Sequence, residues 1–190
     1  MGKHGGTYRG DRRTPRDFFG ALSRLIGGFD MDVAATKESA LCARYFTEVD
    51  SALPSSTHWS GVCWCNPPYK KSILSKFVEK AFFEARSGRA DTWLICPATK
   101  TDQEWWHQYA LNGYALISVK GRLGFWVPDE KQLGGDHASV LIVFKRGHLF
   151  EVASPIVCSL VPSFDDDGTV TEVRLERASP PGVICDPCLI

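Results

Sequence analysis

The chain has 190 residues, of which 44% are hydrophobic and 12% aromatic, and its 22 basic and 22 acidic side chains leave no formal net charge. This length fits one domain with its own core, and the apolar content excludes an intrinsically disordered chain. No apolar run approaches the roughly 20 residues that cross a bilayer, and the first residues lack the apolar centre of a secretory signal, so we expect a soluble cytoplasmic protein whose cysteines stay reduced.

The charges are distributed unevenly along the chain. Residues 148–190 hold seven acidic and two basic side chains, whereas residues 1–147 hold 15 acidic and 20 basic ones, a mild excess that is compatible with a polyanionic partner. Residues 1–13 are rich in glycine and arginine and contain almost no apolar side chain. We therefore predict a flexible basic arm over residues 1–13, a main domain over residues 14–147 and an acidic C-terminal extension over residues 148–190.

Helical and strand patterns alternate from the start of the main domain. Thr14 and Pro15 can open a helix whose apolar side chains recur at helical spacing until Gly27. A short strand over residues 29–35 follows, and Thr36 can cap a second helix.

The alternation continues to residue 144. The next elements are predicted as a buried strand over residues 62–65, a helix over 72–87, a buried strand over 92–96, a helix opened by a capping box of Thr101 and Glu104, and a strand over 115–119. A final strand pair is predicted over residues 122–127 and 139–144. This order indicates an α/β fold with a mostly parallel sheet, helices on both faces and a terminal antiparallel hairpin. Ligand sites of such sheets lie beyond the carboxyl ends of the strands.

The segment Asn66-Pro67-Pro68-Tyr69 leaves a buried strand at its carboxyl end. An exocyclic amino group of a nucleobase is a poor nucleophile, because its lone pair is delocalised into the ring. The side-chain oxygen of Asn66 and the carbonyl oxygen of Pro67 can accept hydrogen bonds from such a group and draw the lone pair out of the ring. The prolines make the turn rigid, and Tyr69 offers a stacking face to a base that has left the duplex. The segment therefore fits a centre for direct methyl transfer to an amino group.

A plainer interpretation of the same four residues stays open. Two prolines after a strand end it, asparagine is common in turns, and four-residue matches arise by chance. The position of the segment after a buried strand of an α/β pattern favours the catalytic interpretation.

Residues 14–145 resemble the phage-type DNA N6-adenine methyltransferases, whose motifs occur here in the family's order. The blocks that carry the resemblance are Thr14-Pro15-Arg16-Asp17-Phe18-Phe19, Phe29-Asp30-Met31-Asp32-Val33-Ala34-Ala35, Trp59-Ser60-Gly61, Cys65-Asn66-Pro67-Pro68-Tyr69, Cys96-Pro97-Ala98, Trp105-Trp106-His107 and Gly121-Arg122-Leu123-Gly124-Phe125. The resemblance implies the Rossmann-like fold of S-adenosylmethionine-dependent methyltransferases. It also implies a site-specific enzyme that methylates N6 of adenine in double-stranded DNA, with Asn66, Pro67, Pro68 and Tyr69 as its catalytic residues.

The resemblance further implies a cofactor site. Asp30, Asp32 and Asp50 are candidates to bind the hydroxyl and amino groups of S-adenosylmethionine, together with Thr14 and Pro15 of the first block. Alternation along the predicted strand sends Asp30 and Asp32 to one face, where two buried carboxylates are costly without a partner. We expect at least one of them to meet the cofactor. A structural role for the other, and a plain turn role for Asp50, stay open.

DNA contacts are expected near the predicted hairpin. Arg122 and Trp126 precede its loop, although a merely solvated loop is the alternative. The candidates within the loop are Lys131, Gln132, Gly134, Gly135 and His137. We expect the protein to be a monomer. If a phage encodes it, we expect it to act in the cytoplasm of the bacterial host.

Two features depart from the methyltransferase pattern or add to it. Many methyltransferases have a glycine-rich loop after the first strand, whereas residues 35–39 are Ala-Thr-Lys-Glu-Ser. Either small residues suffice, or the strand over residues 29–35 corresponds to the second strand of the fold. Cys185 and Cys188 have the spacing of half a zinc site without enough further ligands nearby, so no metal site is predicted.

Other functions stay open beside DNA methylation. Centres of the same four-residue type serve methyltransferases of RNA bases and of protein glutamine side chains. A non-catalytic DNA-binding relative could also keep the scaffold, although the intact Asn66-Pro67-Pro68-Tyr69 segment weighs against it.

Overall fold

The computed structural model describes residues 12–126, 137–148 and 155–177. In these ranges the chain forms three helices and eight strands, with short 3₁₀ turns at Ala98–Lys100 and Ala110–Asn112. The elements are α1 (Arg16–Ile26), β1 (Met31–Asp32), β2 (Arg44–Tyr45), β3 (Gly61–Cys65), α2 (Lys71–Arg86), β4 (Ala90–Pro97), α3 (Glu104–Gln108), β5 (Ala115–Val119), β6 (Ser139–Phe144), β7 (Ile156–Phe164) and β8 (Val170–Arg177). None of the described helices combines the length and the apolar character needed to span a membrane.

The eight strands form one mixed sheet in the order β2-β1-β3-β4-β6-β5-β7-β8. The parallel pairs are β1 with β2, β1 with β3, β3 with β4 and β5 with β7. β6 runs antiparallel between β4 and β5, and β8 runs antiparallel to β7. From β1 the chain moves outward to β2 and then crosses back to β3 on the other side of β1. The boundary between β1 and β3 is therefore a topological switch point, where α/β sheets open a crevice for ligands.

Helices cover both faces of the sheet. Successive side chains of a strand point to opposite faces, so neighbouring residues of β3 belong to different apolar clusters. On one face Cys63 and Cys65 of β3 share an apolar cluster with Leu74 and other buried residues of α2. On the opposite face Trp64 lies in a second cluster with Phe18 of α1. The predicted helices on both faces are therefore confirmed, and β3 lies between the two clusters.

The strongest sequence patterns correspond to real elements. The first helix, the helix after the Asn66 segment and the strands β3, β4 and β5 lie within two residues of their predicted ends. Gly27 ends α1 with a φ of 89°, in the left-handed region that favours glycine. The predicted capping box of Thr101 is absent, since α3 follows Gln103 without a side-chain cap.

The region after β1 differs from the prediction. The strand predicted over residues 29–35 is only the two residues of β1, and the helix predicted after Thr36 is wrong. The Thr36 N–H donates to the Ser39 hydroxyl at 2.8 Å, and the Ser39 N–H donates to the Thr36 hydroxyl at 3.2 Å. Such local bonds compete with helical ones. The Leu41 N–H also donates to the Asp32 carboxylate at 3.2 Å, which folds the segment back onto the end of β1.

The predicted hairpin of residues 122–127 and 139–144 is wrong. All six residues of β6 are buried, and a strand covered on both faces is stable between two neighbouring strands, here β4 and β5. Residues 122–125 form no strand. Trp126 instead pairs with Arg13 through two backbone hydrogen bonds of 2.8 and 2.9 Å.

The acidic part of the chain contributes β7 and β8 to the same sheet. α1 also holds β8, because the Val170 N–H donates to the Asp17 carboxylate at 2.7 Å and the Arg24 guanidinium donates to the Thr171 carbonyl at 2.9 Å. The predicted boundary at residue 147 thus falls within the sheet. Residues 1–11 of the predicted arm and residues 178–190 lie outside the described residues.

Candidate active site

A cavity of about 790 Å³ lies at the switch point between β1 and β3. Its walls come from the segments that follow the two strands, residues 32–36 and residues 66–70. Residues 12–14 and several residues between 47 and 53 close its sides. Cavities that bind small molecules have volumes of about 300–1,000 Å³, so this one can hold a cofactor-sized ligand.

Asn66 lies directly after β3 and its side chain is held by three hydrogen bonds. Its Nδ2 donates to the Arg12 carbonyl oxygen at 2.7 Å and to the Thr14 hydroxyl oxygen at 3.0 Å. Its Oδ1 accepts from the Tyr69 hydroxyl at 2.9 Å. Both amide hydrogens are therefore engaged, while Oδ1 keeps a second lone pair. The atom that Asn66 can offer to a ligand in the cavity is therefore an acceptor, Oδ1.

The other residues of this segment complete the same wall. Pro67 is buried and Pro68 is exposed, and both line the cavity beside Tyr69. The Tyr69 ring meets the Phe125 ring edge-on, with 6.3 Å between centroids. Burial raises the pKa of Tyr69 well above its usual 10.0, so the hydroxyl keeps its proton at neutral pH. Tyr69 is therefore a fixed aromatic ring with a permanent hydrogen-bond donor.

Asp32 ends β1 and lines the cavity with only 3% of its surface exposed. Its oxygens accept from the N–H groups of Ala34 at 3.3 Å and Leu41 at 3.2 Å. Burial raises the pKa of Asp32 to about 6, against the smaller lowering effect of these two bonds. Each oxygen keeps a lone pair for a ligand donor. The carboxylate therefore both shapes its loop and is available to a bound molecule.

Asp30 and Asp50 do not line the cavity. Asp30 is exposed and lies directly before β1 rather than within it. It accepts a hydrogen bond from the Val62 N–H at 2.8 Å. Asp50 is exposed and accepts from the Thr47 hydroxyl at 2.7 Å. Both carboxylates therefore hold backbone or side chains near the cavity.

The two cofactor candidates before α1 are placed differently from each other. Thr14 is buried, lines the cavity and contacts Asn66. Pro15 is buried at the start of α1, where its carbonyl accepts the Phe19 N–H at 3.0 Å, and it does not line the cavity.

Several wall residues belong to no motif that the sequence showed. Glu48 and Ser51 come from the turn that holds Asp50, so the sequence indicated the correct turn but not these residues. Basic side chains also line the cavity, at Arg12, Arg13, Lys70 and Lys100. The predicted basic arm and the positive excess of residues 1–147 were their only signals in the sequence.

With one exception, the predicted DNA-binding residues lie away from the cavity walls or outside the described residues. Arg122 is exposed, and Trp126 is 49% exposed beside Arg13. Lys131, Gln132, Gly134 and Gly135 lie outside the described residues, whereas His137, the last candidate of the same loop, lines the cavity.

No group of three or more histidine, cysteine, aspartate or glutamate side chains within residues 12–126, 137–148 and 155–177 could hold a metal ion. Cys63 and Cys65 are buried free thiols of the core. Cys185 and Cys188 lie outside these ranges.

Known proteins similar to this chain point to one family. The model of the family described as DNA N-6-adenine-methyltransferase (Dam) matches residues 6–162. The DNA N-6-adenine-methyltransferase of Escherichia phage T1 is 26% identical over 110 residues, which cover 58% of this chain and 44% of that protein. The "Putative methyltransferase YfdM" of Escherichia coli (strain K12) is 37% identical over 64 residues, which cover 30% of this chain and 68% of that protein. The chain thus spans less than half the length of the phage relative. Because the family model matches well over half of the residues, the chain belongs to the DNA N-6-adenine-methyltransferase (Dam) family.

Proposed function

We propose that this chain transfers a methyl group from S-adenosylmethionine to the N6 amino group of adenine at specific sites in double-stranded DNA. The observation that carries the proposal is the orientation of Asn66, whose amide hydrogens are bound to Arg12 and Thr14 while its oxygen accepts from Tyr69 in the cavity wall. An acceptor of fixed orientation suits an amino group whose lone pair must be drawn out of the ring. Membership of the family supports the same reaction.

The cavity beside β1 fits S-adenosylmethionine chemically. Asp32 and Glu48 offer carboxylate oxygens to hydroxyl and amino donors, and Phe46 and Ile73 offer apolar surface. Ala34 and Ala35 follow β1, so small side chains take the place of a glycine-rich loop. When bound, S-adenosylmethionine supplies an electrophilic methyl group on a sulfonium centre.

Other residues of the predicted cofactor set would act on the cavity walls. Asp50 holds the hydroxyl of Thr47, which is itself a wall residue. Asp30 holds the start of β3, and Pro15 begins the helix that follows Thr14. We therefore assign direct cofactor contacts to Asp32 and Glu48, and supporting roles to Asp30, Asp50 and Pro15.

The segment after β3 would hold the target adenine. The oxygens of Asn66 and Pro67 accept the two N–H bonds of the amino group, which favours tetrahedral geometry at N6 as it attacks the methyl group. Tyr69 stacks on the base, which must leave the duplex before its amino group can be reached. Pro67 and Pro68 restrict the backbone, so the acceptors need little reorganisation.

Basic residues around the cavity would contact the DNA backbone. Arg12, Arg13, Lys70 and Lys100 lie in its walls, and cations near a site that receives a flipped base can bind the flanking phosphates. Arg122, Trp126 and Lys131 are proposed to contact DNA further from the cavity. The proposal also includes a monomer. Its place of action would be a bacterial cytoplasm, in line with the phage and bacterial sources of the two relatives.

The test is methylation of duplex DNA by the full chain with labelled S-adenosylmethionine, followed by mass analysis of the nucleosides. We expect N6-methyladenine as the product. Asn66→Ala should lower kcat by about 10²-fold or more, because it removes the acceptor at the developing charge. The matched control is Asn112→Ala, since Asn112 bonds the Gln108 carbonyl outside the cavity. Labelling of RNA or of protein glutamine with no labelled DNA would contradict the proposal.

A further inference from the structure

Asn66 is useful as an acceptor in only one of its two amide orientations. The two orientations exchange Oδ1 and Nδ2, which differ in hydrogen-bonding chemistry although their shapes are nearly the same. In the reversed orientation Oδ1 would face the Arg12 carbonyl oxygen, an acceptor that it cannot bond. Nδ2 would then occupy the present place of Oδ1 and oppose the N–H bonds of an amino group. Some part of the protein must therefore select the orientation.

The Arg12 carbonyl makes this selection, because a carbonyl oxygen accepts and cannot donate. The Thr14 hydroxyl engages the second amide hydrogen and so fixes the plane of the amide. The Arg12 carbonyl lies 2.7 Å from Nδ2, and the Thr14 hydroxyl oxygen lies 3.0 Å from the same atom. A backbone carbonyl accepts in any variant, but the Thr14 hydroxyl is a side-chain group that a substitution can remove. Thr14 is buried, with 6% of its surface exposed. Of the two hydrogen bonds to Nδ2, the one to Thr14 is therefore the one that a substitution can remove.

Thr14 is itself held in place on both sides. Arg13 forms two backbone hydrogen bonds with Trp126, at 2.8 and 2.9 Å. α1 begins at Arg16, after the buried Pro15, and packs Phe18 into the core. The Thr14 hydroxyl is therefore fixed relative to β3 before any ligand binds.

We propose that Thr14 is a positioning residue, whose hydroxyl fixes the Asn66 amide in the plane in which its oxygen, oriented by the Arg12 carbonyl, faces the target amino group. The proposal rests on the proposed function of Asn66. It gives Thr14 a role at the site of the target base, whereas the family resemblance implied that Thr14 binds the cofactor. Thr14 acts through Asn66 and need not touch the substrate.

The kinetic test compares Thr14→Val, which keeps the shape and removes the hydroxyl, with Thr14→Ser, which keeps the hydroxyl. Thr14→Val should lower kcat about tenfold, with KM for DNA and Kd for S-adenosylmethionine within about twofold of the wild type. Thr14→Ser should restore kcat to within about twofold. The matched control is Thr92→Val, because Thr92 is fully buried in β4 and its hydroxyl has no hydrogen-bond partner among the described residues. A rise in Kd for S-adenosylmethionine at unchanged kcat would place Thr14 on the cofactor and overturn the proposal.

A second readout does not depend on the reaction. The side-chain amide signals of Asn66 in a ¹⁵N spectrum are identified by their loss in Asn66→Ala. In Thr14→Val one of the two amide protons should shift and exchange with water about fivefold faster, as expected for one lost hydrogen bond. Unchanged Asn66 signals in Thr14→Val would refute the positioning role. Shifted signals in a protein that does not methylate adenine would support the positioning role and refute only the proposed function.

Discussion

Tyr69 donates its hydroxyl hydrogen bond to Oδ1 of Asn66, the atom that we propose accepts from the target amino group. The oxygen has a second lone pair, so the amino group can share it or take the place of the hydroxyl. The chemical contribution of Tyr69 should therefore come from its ring rather than from its hydroxyl.

Substitutions at Tyr69 separate these two parts. Tyr69→Phe should keep kcat/KM for DNA within about fivefold of the wild type, because it costs at most one hydrogen bond. Tyr69→Ala should lower kcat/KM by about tenfold or more, since base stacking on an aromatic ring contributes about 1–3 kcal/mol. Steady-state kinetics on one duplex measures both. Equal losses in the two variants would show that the hydroxyl, and not the ring, carries the effect.

Asp32 should give the proposed cofactor site a pH dependence. Its pKa of about 6 means that the carboxyl gains a proton within the range of ordinary assays. A proton on the carboxyl removes an acceptor, so S-adenosylmethionine must displace it to bind. We predict that Kd rises about tenfold for each pH unit below 6 and is constant above 7. Calorimetric titrations at several pH values measure this.

Asp32→Asn is the control for this pH dependence. It should bind S-adenosylmethionine more weakly at pH 8, yet show no change of Kd between pH 5 and 7. A wild-type Kd without pH dependence would mean that Asp32 does not contact the cofactor.

The pKa of Asp32 in the folded protein lies above the ordinary 3.8 of this group. The contribution of this group to the free energy of unfolding should therefore be full below pH 4. It should decrease by about 3 kcal/mol as the pH rises from 4 to 6.

At the scale of elements, α2 is joined to the loop before β3 by a buried charge network. Glu84 has no exposed surface and pairs with Lys80 at 2.7 Å and with Arg89 at 2.5 Å. Lys80 also donates to the carbonyl oxygens of Pro54 and Thr57 at 3.1 and 2.6 Å. Burial raises the pKa of Glu84, but the hydrogen bonds and charges of Arg89 and Lys80 outweigh this and leave the pKa below its ordinary 4.5.

Glu84→Gln should destabilise the fold by about 3–5 kcal/mol, because it leaves the buried Lys80 ammonium without its counter-charge. Urea unfolding at pH 7 measures the loss. The control is Glu79→Gln on the exposed side of the same helix, which should change stability by less than about 0.5 kcal/mol. Because the folded pKa of Glu84 is lowered, its stabilising effect should be present above pH 4.5 and disappear as the pH falls through that pKa. Equal stability of the two variants would contradict the network's importance.

Some elements could be predicted from the sequence because their own residues determine them. α2 repeats apolar residues over 16 positions, and β3 is a short apolar run that two prolines end. The segment between β1 and β3 depends instead on contacts that are distant in sequence, such as those from Lys80 to the Pro54 and Thr57 carbonyls. Asn66 could likewise be recognised from its own motif. Glu48 could not, because only the folding of its turn brings it to the cavity.

At the scale of the whole molecule, the two C-terminal strands, β7 and β8, are part of the layer that carries the candidate site. β7 pairs with β5, β5 with β6 and β6 with β4, which is the parallel neighbour of β3. Leu160 of β7 has no exposed surface and lies in the same cluster as Phe18 of α1. A substitution that destabilises β7 should therefore also destabilise α1 and β3. Asn66 follows β3 and is bonded to the segment before α1.

The six tryptophans provide a probe of this coupling, because all of them lie between residues 59 and 126. We predict that Leu160→Ala lowers the free energy of unfolding by about 2–5 kcal/mol when urea unfolding is followed by tryptophan fluorescence. Val157→Ala on the same strand, where the side chain is 56% exposed, should change it by less than about 0.5 kcal/mol. If β7 and β8 folded as an independent unit, Leu160→Ala would leave the fluorescence transition where it is in the wild type. A shift of the whole transition, with one midpoint for fluorescence and far-ultraviolet circular dichroism, would mean that β7, β8 and the candidate active site unfold together.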